Sequence, residues 1–190
     1  MRVGGRQPLL AEPGCSILSG MIETERLRLR PYTLADFAPY CAMWSDMDLM
    51  RHIGGGAPSA EDAWNRILRY EGHWSLLGYG IFAVIEKASG RYVGETGLAD
   101  FHRGLGDDFD KAGEAAWIFS SEVHGRGYAF EAACAAHDWY AQRKDAGRTV
   151  CLIDPANEPS LRLAARLGYA PFREAVYKGR TAVMLERSPA

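Results

Sequence analysis

The stretch EAAWIFSSEVHGRGYAFEAACAAHDWYAQR, residues 114–143, decides the reading of this chain. It opens on a short apolar run, Ala115-Ala116-Trp117-Ile118-Phe119, with the length of a buried strand. A polar loop, Ser120 to Val123, follows. Then His124-Gly125-Arg126-Gly127-Tyr128-Ala129 leads into an Ala-rich segment, Phe130 to Tyr140, that reads as helix. Strand, glycine-rich turn, helix is an arrangement with a chemical use. The first amides of a helix lack intrahelical partners, and the helix dipole makes that end partly positive. Glycines let a phosphate approach those bare N–H groups, and Arg126 adds a cation beside them.

Spacing narrows the ligand. A Rossmann fingerprint needs G-x-G-x-x-G, and Phe130 stands at the third glycine. No G-x-x-x-x-G-K-[ST] is present, nor a G-x-S-x-G nucleophile elbow. On spacing alone a plain strand-to-helix turn explains G-x-G as well as a phosphate loop does.

Composition excludes other classes. The chain has 190 residues, 47% hydrophobic and 24% charged, ordinary values for one globular domain. A net charge of −2 gives no electrostatic case for nucleic acid. Cys15, Cys41, Cys134 and Cys151 have no C-x-x-C spacing and read as free thiols of a cytoplasmic protein. The five histidines show no metal-ligand spacing, so no metal is expected. No apolar run approaches the roughly 20 residues of a membrane helix.

Taken in order, residues 1–20 are rich in Gly and Pro without periodicity and read as a disordered extension. The domain is expected over 21–190, with Met21 a candidate start. Thr24 to Pro31 alternates Arg with Leu, a half-buried strand whose arginines face solvent. Thr33 and Asp36 are spaced as a helix cap, and Ser59 with Asp62 open a second helix that Gly78 stops. Tyr79–Glu86 and Arg91–Ala99 read as paired antiparallel strands. Within the second, Glu95 sits in Gly94-Glu95-Thr96-Gly97. A strand glycine marks a bulge or a close approach, so Glu95 is a candidate base; a surface glutamate explains it equally. Asp100 to Gly113 reads as a polar loop, solvated and mobile, whose Asp107, Asp108 and Asp110 could attract a cationic amine. Thr149–Ile153 is a β-branched strand, and Asn157 with Pro159 opens a last helix ending at Gly168. Two final strands, 171–176 and 180–186, turn at Tyr177-Lys178-Gly179.

His124-Gly125-Arg126-Gly127-Tyr128-Ala129 resembles the coenzyme A pyrophosphate loop of the GNAT superfamily of N-acetyltransferases, Arg/Gln-x-x-Gly-x-Gly/Ala. Asn157-x-x-Ser160 with Leu167-Gly168-Tyr169 resembles the second signature, in the right order. The run Gly-Arg-Gly-Tyr-Ala-Phe-Glu-Ala and the opening T-x-R-L-x-L-R-P are similar to the branch that acetylates ribosomal-protein N-termini. His124 departs from the usual Arg or Gln.

The resemblance implies an α+β, three-layer fold. Its mixed, mostly antiparallel sheet should have about six or seven strands, a parallel splay at its centre, and about four flanking helices. It implies acetyl transfer from acetyl-CoA to a primary amine, either a peptide N-terminus or a small amine, in a ternary complex. A monomer or homodimer is expected. The alternative is a non-catalytic acyl-CoA sensor. The donor would be held by Ile118, Phe119, residues 124–129, Asn157 and Ser160, with a backbone N–H near Phe119 polarising the thioester. Glu114 and Glu95 are the candidate bases. The family's usual tyrosine acid is Ala164 here, leaving Ser160 to meet the sulfur.

Overall fold

The computed structural model describes residues 21–53, 57–143 and 145–189. The expected extension at 1–20, and Cys15 within it, lie outside the described residues. The described chain forms eight strands in one sheet and six α-helices. The strands are β1 Ile22–Glu23, β2 Leu27–Arg30, β3 Ile81–Glu86, β4 Tyr92–Ala99, β5 Gly113–Phe119, β6 Thr149–Ile153, β7 Ala170–Tyr177 and β8 Arg180–Arg187. The helices are α1 Phe37–Trp44, α2 Met47–Ile53, α3 Ala60–Leu77, α4 Asp107–Asp110, α5 Tyr128–Ala141 and α6 Glu158–Arg166. The strand count exceeds the expected six or seven because β1, two residues long, is too short to show alternation.

Local chemistry explains the elements. The Leu-Arg alternation of β2 buries Leu27 and Leu29 completely. Ser59 Oγ accepts from Asp62 N–H at 3.1 Å and Asp62 accepts back from Ser59 N–H at 3.2 Å, a reciprocal cap for α3. Gly78 closes that helix in the left-handed conformation at φ 69°. Lys178 and Gly179 both have positive φ, 51° and 78°, the tight turn that joins β7 to β8.

The strand order is β1-β2-β3-β4-β5-β6-β8-β7. Every adjacent pair is antiparallel except β5 and β6. Those two pair only at Gly113 with Thr149 and Glu114 with Val150, then diverge. Ala116, Trp117 and Ile118 are half-exposed in the middle of the sheet for that reason. Glu95, Ala116 and Ile118 point to the face covered by α1 and α3, where Tyr32, Tyr40 and Tyr70 lie. Phe119 and Trp117 point to the opposite face, covered by α5 and α6.

The loop at 100–113 differs from expectation. Phe109 is 2% exposed and anchors α4 against Val150 and Met184. Asp107 and Asp108 stay exposed as expected, yet all three aspartates have partners: Asp107 pairs with Lys111 at 2.7 Å, Asp108 with Arg173 at 2.8 Å, and Asp110 accepts from Gly106 N–H at 3.1 Å.

Candidate active site

The divergence of β5 from β6 opens a slot at the centre of the sheet. Ser120 N–H donates to Val93 C=O on β4 at 3.0 Å. Backbone groups alternate along a strand, so the N–H and C=O of Phe119 turn the other way, toward the slot. The carbonyl accepts from His124 Nε2 at 2.9 Å, which fixes the proton on that nitrogen. His124 thus ties the turn back to β5.

Two glycines shape the turn. Gly125 and Gly127 have φ of 74° and 79°, the region that side chains disfavour. Gly127 is the residue before α5, which starts two residues earlier than the sequence reading. Glu131 N–H makes the first backbone bond of the helix, to Gly127 C=O at 3.1 Å. The amides of Tyr128, Ala129 and Phe130 precede the ladder and form the positive end of the dipole.

The side chains around the turn hold it rather than leave it loose. Arg126 is paired with Glu86 at 2.8 Å and donates to Tyr128 Oη at 2.6 Å, so its charge is already met inside the chain. Hydrogen bonds from Ser89 and Tyr128, and the Arg126 cation, bring the Glu86 carboxyl down to about 2. Arg26, read from sequence as solvent-facing, donates to Arg126 C=O at 2.8 Å and pairs with Glu131 at 2.6 Å. No sequence pattern marks that contact, which links residues 100 positions apart.

Across the slot, Asn157 caps α6 by accepting from Ser160 N–H at 3.1 Å. Trp117 Nε1 donates to Ser160 Oγ at 3.3 Å, bridging β5 to α6. That bond uses a lone pair of the hydroxyl and leaves its proton for another acceptor. Ala164 is buried in the α5–α6 packing. Tyr169, downstream of it, donates to Thr149 Oγ1 at 2.8 Å and lies 2.7 Å from His137 Nε2, inside the core.

The two candidate carboxylates are both buried. Glu95 is 2% exposed, which corrects the surface reading. Its flanking glycines explain how. A Cβ on Gly94 would come 2.5 Å from Ile118 O, and one on Gly97 would come 2.4 Å from Gly80 O. Glu95 Oε2 accepts from Tyr32 Oη at 2.5 Å and Oε1 from Tyr70 Oη at 3.0 Å; Tyr92 Oη lies 3.0 Å from Tyr32 Oη. Burial raises the Glu95 pKa, and the tyrosine bonds and Arg66 oppose it. Glu114 is 4% exposed, and both its oxygens accept from Arg103, at 2.6 and 2.5 Å. Burial raises its pKa, and Arg103 pulls the other way. Glu95 and Glu114 share the α3 face of the sheet, while the 124–129 turn and Ser160 sit at its other side, so the slot lies between the two groups. Arg103, Tyr32 and Tyr70 escaped the sequence reading as carboxylate partners, because each meets its carboxylate only in the folded chain, as Tyr92 meets Tyr32.

Among the described residues no group of three or more His, Cys, Asp or Glu could hold a metal. Nor is any helix there long and apolar enough to cross a membrane.

Comparison with known proteins agrees with this geometry. Residues 26–170 match the family model for the acetyltransferase (GNAT) domain. A protein from Bordetella pertussis, assigned to the GNAT acetyltransferases, is 33% identical, with a TM-score of 0.79 over 89% of this chain and 99% of that one. An uncharacterized N-acetyltransferase of Bacillus subtilis, YnaD, is 26% identical over 83% of this chain and 85% of its own. A ribosomal-protein α-N-acetyltransferase solved with coenzyme A is 15% identical, and matches 88% of this chain and 97% of its own at a TM-score of 0.66. The slotted sheet, the glycine turn and the family match lead to one conclusion: this chain belongs to the GNAT family of acetyltransferases and is an acyltransferase enzyme.

Proposed function

We propose that the enzyme transfers acetyl from acetyl-CoA to a primary amine, an N-terminal α-amine of a protein or the amine of a small molecule. The observation that carries this is the Phe119 N–H turned into the slot between β5 and β6, beside the free amides of α5. There it can donate to the thioester oxygen as negative charge develops. A backbone donor so placed contributes roughly 3–4 kcal/mol to such a step. The pyrophosphate of the donor lies against the amides at Gly125 to Ala129, and pantetheine runs past Ile118 and Asn157.

The amine nitrogen attacks the carbonyl carbon in a ternary complex. A C–N bond forms, the C–S bond breaks, and the amine loses one proton. Glu95 takes that proton through the hydroxyl of Tyr32 or Tyr70, both of which are bonded to it, and burial strengthens its hold on the proton. Glu114 serves instead to hold Arg103. The thiolate departs as the anion, stabilised by a hydrogen bond from Ser160 Oγ–H, and takes its proton from solvent. An α-amine, with a pKa of about 8, needs little help from the base. The fold neighbour solved with coenzyme A, an α-N-protein acetyltransferase, supports the N-terminal acceptor and the resemblance to that branch.

The test is calorimetric binding of acetyl-CoA, then thiol release with peptides varied at the first residue and with small amines. Turnover that depends on the first residue makes it an N-terminal acetyltransferase. Donor binding without turnover on any acceptor supports the sensor alternative. Absence of donor binding overturns the reading.

A further inference from the structure

The sheet face opposite α5 carries cations that the donor reading does not use. Arg66 and Arg69 stand one turn apart on α3. The Arg66 guanidinium lies 4.5 Å from the Trp44 ring centre, and that of Arg69 lies 5.2 Å from Phe101 and 5.8 Å from Tyr70. Among the described residues neither forms a direct salt bridge, but both act on the Glu95 carboxylate through space, and Arg69 also acts on Glu114. Arg103 lies 4.9 Å from the same Phe101 ring, but its charge is met by Glu114. Trp44, Tyr70 and Phe101 belong to the cluster against which Ala116 and Ile118, the half-exposed part of β5, are packed. The two guanidiniums therefore stand on the side of the slot from which an acceptor can reach the thioester.

Three guanidiniums, those of Arg66, Arg69 and Arg103, face two carboxylates, Glu95 and Glu114, a surplus of one cation. Glu95 has both oxygens on tyrosine hydroxyls, and both Glu114 oxygens are on Arg103. The aspartates of the 107–110 segment, the alternative draw for an ammonium group, are partnered by Lys111, Arg173 and Gly106 N–H. A face with surplus cations repels a bare polyamine. It attracts an amine that also carries an anion. Stacking on rings fixes the guanidinium planes in advance, so less rotamer freedom is lost when a carboxylate binds. The same cations disfavour the protonated amine, which raises the share of neutral nucleophile.

We propose that the acceptor bears a carboxylate near its amine, and that Arg66 and Arg69 bind that carboxylate. The proposal rests on the amine-transfer reading above. It selects amino acids and acidic peptides over decarboxylated amines and polyamines.

The experiment compares kcat/KM with acetyl-CoA for matched acceptors: lysine against cadaverine, phenylalanine against phenethylamine, and peptides with Asp against Asn at the second position. The carboxylate partner should be favoured at least tenfold in one or more pairs. Arg69→Met and Arg66→Met keep the apolar stem on its ring and remove the charge. Each should cut that preference by roughly tenfold through the acceptor KM, with the KM of acetyl-CoA unchanged. Circular dichroism melting reports whether each variant is folded, and exposed Arg69 is the safer of the two. Turnover without discrimination within the pairs overturns the inference and leaves amine transfer standing. So does discrimination that survives both substitutions. Donor binding with no turnover on any acceptor overturns the amine reading, and this inference with it.

Discussion

The ring of Phe119 lies directly over Gly94: a Cβ at position 94 would come 2.7 Å from Phe119 Cδ1 and 2.9 Å from Phe119 Cα. The residue whose N–H faces the slot is thus held by the absence of a side chain on the neighbouring strand. Gly94→Ala must push β5 away, and two of the three nearest atoms are backbone. Overpacking of this kind costs about 1–3 kcal/mol. Urea unfolding should show that loss, and the acetyl-CoA dissociation constant should rise roughly tenfold or more through misplacement of Phe119. Unchanged donor affinity in a destabilised variant detaches Phe119 from donor binding.

Gly127 sits at φ 79° just before α5, with only Arg26 Nη2 near a built Cβ, at 3.5 Å. Space is available there, but the backbone conformation is not. A β-branched residue disfavours that conformation by on the order of 1–2 kcal/mol. Gly127→Val should therefore distort the turn, keep the fold, and weaken acetyl-CoA at least tenfold by calorimetry. Wild-type affinity in this variant rules out the turn as the pyrophosphate site.

Glu95 makes a linked prediction about pH. Burial raises its folded pKa above the ordinary 4.5. The folded chain then binds a proton that the unfolded chain releases, so stability falls as pH rises from 4.5 through the folded value. Glu95→Gln removes the charge and keeps an acceptor for Tyr32. It should melt at or above the wild-type temperature at pH 8, because the buried carboxylate's charge is gone. It should also lose most of its kcat toward acceptors of high pKa and flatten the pH–rate profile. A stable variant with the wild-type profile removes Glu95 from catalysis.

Arg103 and Glu114 form a buried pair, with side chains 21% and 6% exposed. Removing one partner leaves the other buried and unmet, at roughly 3–5 kcal/mol. Arg103→Met should show that cost in urea, and Arg103→Met with Glu114→Gln should recover most of it. Full additivity of the two single variants contradicts a coupled pair.

His137 lies in the core, its Nδ1 2.7 Å from Ala133 O and its Nε2 2.7 Å from Tyr169 Oη. Burial pushes its pKa from 6.5 down to about 4. The unfolded chain binds the proton first, so stability drops as pH falls from 6.5 toward 4, by up to roughly 3 kcal/mol. Melting curves across that range should show the slope in the wild type and a weaker one in His137→Gln.

The sequence by itself determined what depends on near neighbours along the chain. The Ser59–Asp62 cap, the Asn157 cap, the Leu27–Leu29 alternation and the glycine-rich turn before α5 were all legible, because each needs only residues a few positions apart. Tertiary structure alone decided how the charges are spent. Arg26 reaches Glu131, Tyr32 reaches Glu95, Arg103 takes Glu114, and Trp117 meets Ser160, across separations of 105, 63, 11 and 43 residues. Whether a glutamate is solvent-facing or sealed among tyrosines is set by which strands flank it and what packs on its face. Neither property leaves a local trace. The same reason gave the aspartates at 107–110 partners within the chain and set Arg66 and Arg69 against the Trp44 and Phe101 rings.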